Sequence, residues 1–552
     1  MSTAAPPAIS PVAAYASGTA ADHFADWCAT RCIQSVDEFA GVPLVFEPWQ
    51  LEFFEEALAV DEDERWYWRS VVKVVPRKNG KTHELAAYAL YRCDQDEGSP
   101  EVLLTASSDE QAGRLFDAAQ SFIRKGAYLG ERFHLRDYVG EIARSDGGGL
   151  IERMASNPRR GHGYSPSLVV ADELHAWTTR SLRKFWATMK TGGGARSAAQ
   201  VFAITVAGAA DERDTEILGQ LIDGAAAAGE VEQRGTLTII RHHAARLLVW
   251  IYEGPPECDP RPLRQARAAH RHAQREHGED STEARDALAV AEEWRVTVGT
   301  SAKAANPASW ITADYLADQA EDPEIEPAEF LQLHCGVWAT QWGTFIPREI
   351  WMYGATGKVP EPGAFVSIAV DGSRNHDCTV VGIAQLQPDG RVRVGAHIFA
   401  ALDWMPHHEL HDRKISYERV EEYIVADCFG RFRVTKAGFD PRYLLRSTEI
   451  LEKRLPGASL IEIEPQSGTM RDAYARLHRM AYDQMIDHDG DPAVTAHFSA
   501  CRGQKTEAGW TIKKTSSTES AKPIDAVPAI AMAVELALMP ISVPLVRTGR
   551  AR

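Results

Sequence analysis

The sequence predicts an α/β protein of two successive domains. The first is built on a parallel sheet flanked by helices, the second on a further α/β sheet. Three observations lead there. Short β-rich runs, VVKVV at 71–75, EVLLTAS at 101–107, SLVVAD at 167–172 and VFAITVAG at 201–208, alternate with helical patterns, as the buried strands of a parallel sheet do. A Gly- and Pro-rich break, GATGKVPEPG at 354–363, precedes a new β-rich run, FVSIAVDG. A chain of 552 residues also exceeds what one core organises.

In chain order, residues 1–40 read as a disordered or helical start, and 41–354 as the first domain. Within it, about 215–340 reads as a helical subdomain, because the prolines at 255–262 introduce a polar, Ala-rich stretch whose ordinary explanation is a solvated charged face. Residues 355–363 form the linker, 364–540 the second domain and 541–552 a flexible basic tail.

Composition narrows the class. The chain is 44% hydrophobic and 25% charged, and it lacks an apolar run of the ~20 residues needed to span a bilayer. Its start, MSTAAPPAIS, has neither a basic nor an apolar signal region. Of eight cysteines only Cys28 and Cys32 are neighbours. With no second pair to complete a zinc site, they read as reduced thiols of a cytosolic protein. A net charge of −17 argues against a basic coat, yet a local basic groove suffices for nucleic acid.

The stretch VVPRKNGKT carries the first chemistry. Gly80 lets the backbone approach a phosphate closely, Lys81 reaches the β/γ-phosphates and Thr82 ligates Mg²⁺. Val75 stands where such loops open with glycine, and a bare Gly-Lys-Thr recurs by chance. Downstream, SLVVADELH ends an apolar strand on Asp172 and Glu173, placed to hold Mg²⁺ and to activate water. Upstream, FEPWQ offers the Gln50 amide to adenine, with a surface glutamine as the bland alternative. Together the three elements predict an ATPase. Arg77, Lys78 and Asn79 complete the expected nucleotide-contacting loop.

The second region ends apolar runs on Asp371 and Asp440 and opens an Ala-rich helix with Asp525. Taken singly, each is an ordinary turn or cap residue. Brought together, three carboxylates tolerate one another only with cations between them. Two metals roughly 4 Å apart would then cleave a phosphodiester, Mg²⁺ or Mn²⁺ being the ions that oxygen ligands favour.

The order FEPWQ, PRKNGKT, TASSDEQAGRLFD, SLVVADELHAW, ITVAG, then the three aspartates, resembles the large terminase subunit of tailed bacteriophages over roughly residues 40–540. That resemblance implies a motor that drives double-stranded viral DNA into a procapsid with ATP and Mg²⁺ and cuts concatemers at a C-terminal RNase H-like nuclease. It implies a phosphate loop without its first glycine, a helicase-type motif at Thr105–Asp117 and a coupling motif at 204–208. In the last of these Thr205 departs from the usual Ser/Thr-Gly-Thr. Asp371, Asp440 and Asp525 match the metal-binding positions, and Asp377 a further acidic one. Arg153, Arg159 and Arg160 are candidates for an arginine acting across a ring interface, and Lys505, Lys513 and Lys514 for DNA contacts, solvated surface residues being the alternative for each.

The implied partners are the portal protein, the terminase small subunit and further copies in a ring docked on the portal, with a monomer in solution. The implied location is the host cytoplasm, transiently at the portal vertex. A helicase-nuclease of repair or defence and a non-hydrolysing DNA-tethering protein are the competing readings.

Overall fold

The computed structural model describes residues 18–35, 39–155, 164–196, 198–210, 213–340, 343–372, 378–401, 407–412, 414–464, 467–506, 508–514 and 522–540. Asp377, Arg159 and Arg160 lie outside them. The chain forms two compact units, one of residues 1–260 with 293–340 and one of 261–292 with 341–552. No helix of the described residues is long and apolar enough to cross a membrane.

The first unit is organised by ten strands: β1 Ser70–Val74, β2 Glu101–Ala106, β3 Phe133–Arg136, β4 Glu141–Arg144, β5 Leu150–Ala155, β6 Leu168–Asp172, β7 Gln200–Thr205, β8 Glu230–Arg234, β9 Leu237–His242 and β10 Leu247–Tyr252. Their order is β3-β4-β5-β2-β6-β7-β1-β10-β9-β8. The strands from β5 to β10 along that path run parallel, as expected. Both edges are antiparallel, which makes the sheet mixed rather than parallel throughout. The stretch about 215–340, expected to be helical, therefore also contributes β8 to β10, after helix Ile217–Ala228. Gly235, with φ of +60°, supplies the tight turn between β8 and β9.

Strand β1 shows why the centre is buried on both faces. Val71 and Val75 enter the core formed with the aromatic helix Pro48–Ala57, while Val72 and Val74 pack on the opposite side with Trp177 and Phe185. Lys73 shares the face of Val71, and its ammonium is buried between the Trp49 and Phe53 rings at 4.5 and 4.4 Å.

Helix Thr282–Ala304 is largely exposed, as a solvated charged face would be, but the helix before it is tied down. On helix Arg261–His277, Arg271 donates to the Tyr482 carbonyl at 2.7 Å, and Arg275 donates to those of Gln484 and Tyr353 at 3.1 and 2.9 Å. These bonds fasten that helix within the second unit.

The second unit holds strands β11 Gly343–Thr344, β12 Phe365–Asp371, β13 Cys378–Leu386, β14 Val392–Ala400, β15 Glu409–Leu410, β16 Arg433–Phe439, β17 Leu460–Glu462, β18 Ile486–Asp487, β19 Cys501–Thr506 and β20 Gly509–Lys514. The main order is β15-β14-β13-β12-β16-β17. Strands β12, β13 and β14 form an antiparallel meander, and β16 and β17 continue the sheet parallel to β12. This is the RNase H-like arrangement. The Ala-rich helix Ala526–Leu538 lies across β12 and β13, so close that a Cβ on Gly382 would stand 2.6 Å from the Ala529 carbonyl oxygen. A short sheet, β11-β19-β20, carries the basic hairpin.

Candidate functional site

Strand β1 runs into the loop 75–80, and helix Lys81–Gln95 leaves it. Two left-handed residues shape the turn, Lys78 at φ +70° and Gly80 at φ +79°. The second suits glycine, the first strains a side-chain-bearing residue. Braces from distant segments hold the loop. The Arg77 N–H donates to the Leu333 carbonyl at 2.8 Å. The Asn79 amide donates to Asn306 Oδ1 at 2.7 Å and to the Pro76 carbonyl at 3.1 Å, and it accepts from the Ala308 N–H at 3.2 Å. Asn79 thus spends its side chain inside the protein, while Arg77 and Lys78 are exposed.

The Gln50 amide is committed too. Its oxygen accepts the Glu47 N–H at 2.7 Å, and its nitrogen donates to Glu84 Oε1 at 2.7 Å. The other Glu84 oxygen takes Lys73 Nζ at 2.6 Å. A fully buried ion pair therefore sits beneath the loop, and Gln50 caps both that network and its own helix.

Lys81 opens its helix and points inward, its Nζ 3.4 Å from the Val75 carbonyl oxygen and 3.6 Å from Glu173 Oε1. Burial lowers its pKa, against the pull of Glu173 and Asp172. Thr82 follows in the first turn, half-buried. Burial, reinforced by the Glu173 charge next door, pushes Asp172 at the end of β6 up to about 7. Glu173 behaves oppositely. Burial would raise it, but the His175 hydrogen bond and the Lys81 charge outweigh that and bring it to about 2.

Sequence reasoning left the role of Thr205 doubtful and singled out no role for His175. The Thr205 hydroxyl lies 3.0 Å from both the His175 N–H and His175 Nδ1, and the same ring nitrogen is 3.2 Å from Glu173 Oε2. The Thr205 carbonyl accepts the Val75 N–H at 3.0 Å. Because β7 lies between β1 and β6, this one residue touches both the phosphate loop and the acidic turn. The motif ITVAG was the available signal. Arg153, on β5, faces Asp109 at 3.4 Å and stands 5.8 Å from the Phe116 ring.

In the second unit, strand register does the positioning. Val370 pairs with Phe439 across β12 and β16, so Asp371 and Asp440 follow side by side at the ends of two parallel strands. The Asp440 N–H reaches the Val370 carbonyl at 3.4 Å. Tyr474, on helix Gly468–Tyr482, is buried beside them. Burial holds its hydroxyl pKa well above the usual range, helped by the charges of Asp371 and Asp440. Asp525 occupies the N-cap of helix Ala526–Leu538 and accepts no capping hydrogen bond there; the Ala526 N–H meets His497 Nδ1 at 3.1 Å.

Among the described residues no group of three or more His, Cys, Asp or Glu is close enough to hold a metal ion. The Asp371–Asp440 pair nevertheless has the all-oxygen donor chemistry that suits a hard divalent cation. On the hairpin, Lys513 stands opposite Arg502 on one face, whereas Lys505 and Lys514 share the register of Trp510 and Cys501 on the other.

The order β10-β1-β7-β6-β2, with a strand inserted between the loop-bearing β1 and the acidic β6, is that of the ASCE class of P-loop folds. Residues 64–221 match the family model described as terminase large subunit, ATPase domain. That matched segment contains the phosphate loop, the acidic turn and Thr205. No curated protein matches the chain. Among solved structures, it is similar to the HK97 bacteriophage large terminase at 19% identity, covering 94% of this chain and 100% of that one, with a TM-score of 0.42. A large terminase from a thermophilic bacteriophage is matched at 11% identity over 90% of this chain and 100% of that one, TM-score 0.36. The large terminase nuclease of thermophilic phage G20c, with bound magnesium, is matched at 13% identity over 32% of this chain and 85% of that one, TM-score 0.23.

Proposed function

We propose that this chain is a DNA-packaging terminase large subunit that hydrolyses ATP to translocate duplex viral DNA into a procapsid and cuts that DNA at a second, metal-dependent site. The observation that carries the reading is the meeting of Lys81 with Asp172 and Glu173 inside the segment that matches the terminase ATPase model.

In this reading Lys81 and the backbone of the loop take the β- and γ-phosphates, and Thr82 and Asp172 hold Mg²⁺. Glu173 orients the attacking water, with His175 and Thr205 fixing its carboxylate. An arginine from a neighbouring subunit, Arg153 among the candidates, meets the developing charge. Asp371, Asp440 and Asp525, with Asp377 as a further donor, would hold Mg²⁺ or Mn²⁺, which supplies an activated water and neutralises the leaving oxygen. Lys505, Lys513 and Lys514 would grip DNA phosphates. The partners are double-stranded viral DNA, the portal protein, the terminase small subunit and further copies of this chain in a ring.

The test measures ATP hydrolysis and plasmid cleavage by the full chain. Expected are ATPase activity stimulated by duplex DNA and portal, abolished in Lys81→Ala, and cleavage that requires Mg²⁺ or Mn²⁺. Strand separation on forked DNA without any portal would point instead to a helicase-nuclease. Absence of hydrolysis with DNA and portal present would sink the motor.

A further inference from the structure

Among the described residues Trp310 is the most exposed tryptophan, at 37%, and it lies against the phosphate loop. Its indole N–H donates to the Lys78 carbonyl at 2.8 Å. A Cβ on Gly80 would stand 3.4 Å from its six-membered ring and 4.0 Å from the Gln50 amide nitrogen. The segment that presents it is fastened on several sides. Asn79 bonds to Asn306 and Ala308, Lys303 Nζ donates to the Asn306 and Ala308 carbonyls at 2.8 and 2.7 Å, and the Ser309 N–H donates to the Glu47 carboxylate at 3.1 Å. Phe39, itself 36% exposed, meets the indole edge-on at 5.4 Å.

Leaving so large an apolar surface in water is unfavourable, and holding it rigid adds an entropic cost. A flat, fixed aromatic beside the glycine of a phosphate cradle is what a nucleobase requires once its phosphates are seated. The Gln50 amide, already bonded to Glu47 and Glu84, keeps one N–H and one oxygen lone pair for a base edge, whereas the face of the base needs a flat partner.

We propose that Trp310, with Phe39 at its edge, is the platform on which the base of the bound nucleotide stacks. The inference rests on the ATPase reading above and adds the residue that holds the base.

The experiment measures the affinity of the full chain for ADP and for inorganic tripolyphosphate, in wild type, Trp310→Ala and Trp310→Phe. Loss of a stacked base should weaken ADP about tenfold in Trp310→Ala, while tripolyphosphate binds as in wild type. Trp310→Phe, which keeps a ring but loses the bond to Lys78, should stay within about threefold of wild type for ADP. Unchanged ADP affinity in Trp310→Ala overturns the proposal. So does parallel weakening of ADP and tripolyphosphate, which would make Trp310 a brace of the loop. Wild-type protein that binds neither probe overturns the ATPase reading itself, and this inference with it.

Discussion

The Lys81 ammonium stands 3.6 Å from the Glu173 carboxylate, across the cleft between the phosphate loop and the acidic turn. In the proposed mechanism the lysine is thus paired with the group that would act on water. Entry of a triphosphate must break this pair, because the phosphate oxygens compete for the same cation. Glu173 then stays ionised through its His175 contact.

Glu173→Gln should therefore separate binding from chemistry. It removes the charge that competes for Lys81, so ATP affinity holds or rises. Hydrolysis falls by about 10²- to 10⁴-fold, the range for loss of a positioned general base. Lys81→Ala loses both. Nucleotide titration beside steady-state hydrolysis distinguishes the two variants, and hydrolysis surviving in Glu173→Gln would remove that residue from the mechanism.

Thr205→Val keeps the shape of a buried side chain but deletes the hydroxyl that meets His175. With His175 no longer fixed, the Glu173 carboxylate is misplaced, and kcat should fall on the order of 10- to 100-fold. ATP affinity stays near wild type, since the phosphate loop is intact, and Thr205→Ser restores most of the rate. Equal losses in kcat and in ATP affinity would instead assign Thr205 to the support of Val75.

These relationships separate what was legible in the sequence from what was not. Strand, turn and helix follow one another at 70–95, so VVPRKNGKT announces its own geometry. Asp371 and Asp440 close two apolar runs, and only the register of β12 with β16 was needed to bring them together. Thr205 and His175 are 30 residues apart and meet because β7 is inserted between β1 and β6, a matter of sheet order that local pattern does not encode. Asn79 was placed in the loop by its position alone, and its side-chain partner Asn306 lies 227 residues away, beyond any local pattern. Arg271 and Arg275 looked solvated because main-chain acceptors leave no trace in composition.

Asp371→Asn and Asp440→Asn should each reduce metal-dependent cleavage of circular duplex DNA to background while ATP hydrolysis remains at the wild-type rate. Each substitution is nearly isosteric and removes one of two adjacent charges, so the apo fold loses repulsion rather than packing. Circular dichroism should show both variants folded. Mn²⁺-dependent nicking that persists in Asp371→Asn would overturn the metal assignment, and chelation by EDTA should abolish cleavage by the wild-type chain.

Acid should destabilise the protein through enclosed histidines before most carboxylates titrate. His478, enclosed by Phe345, Tyr482 and Trp510, is brought down to about 3 by burial and by the charges of Arg264 and Lys505. His334 is brought down to about 4 by burial and by Arg77. Both stay neutral in the folded chain, whereas in the unfolded chain they take up protons as pH falls below about 6.5. Stability is thus complete above that pH and is lost as pH drops toward 4. Each histidine multiplies the unfolding constant by up to about tenfold per pH unit. His478→Phe retains a ring in the aromatic cluster and cannot be protonated. Its thermal midpoint should fall less than that of wild type between pH 7 and pH 5. Identical pH profiles for the two proteins would show that His478 titrates alike in the folded and unfolded chains.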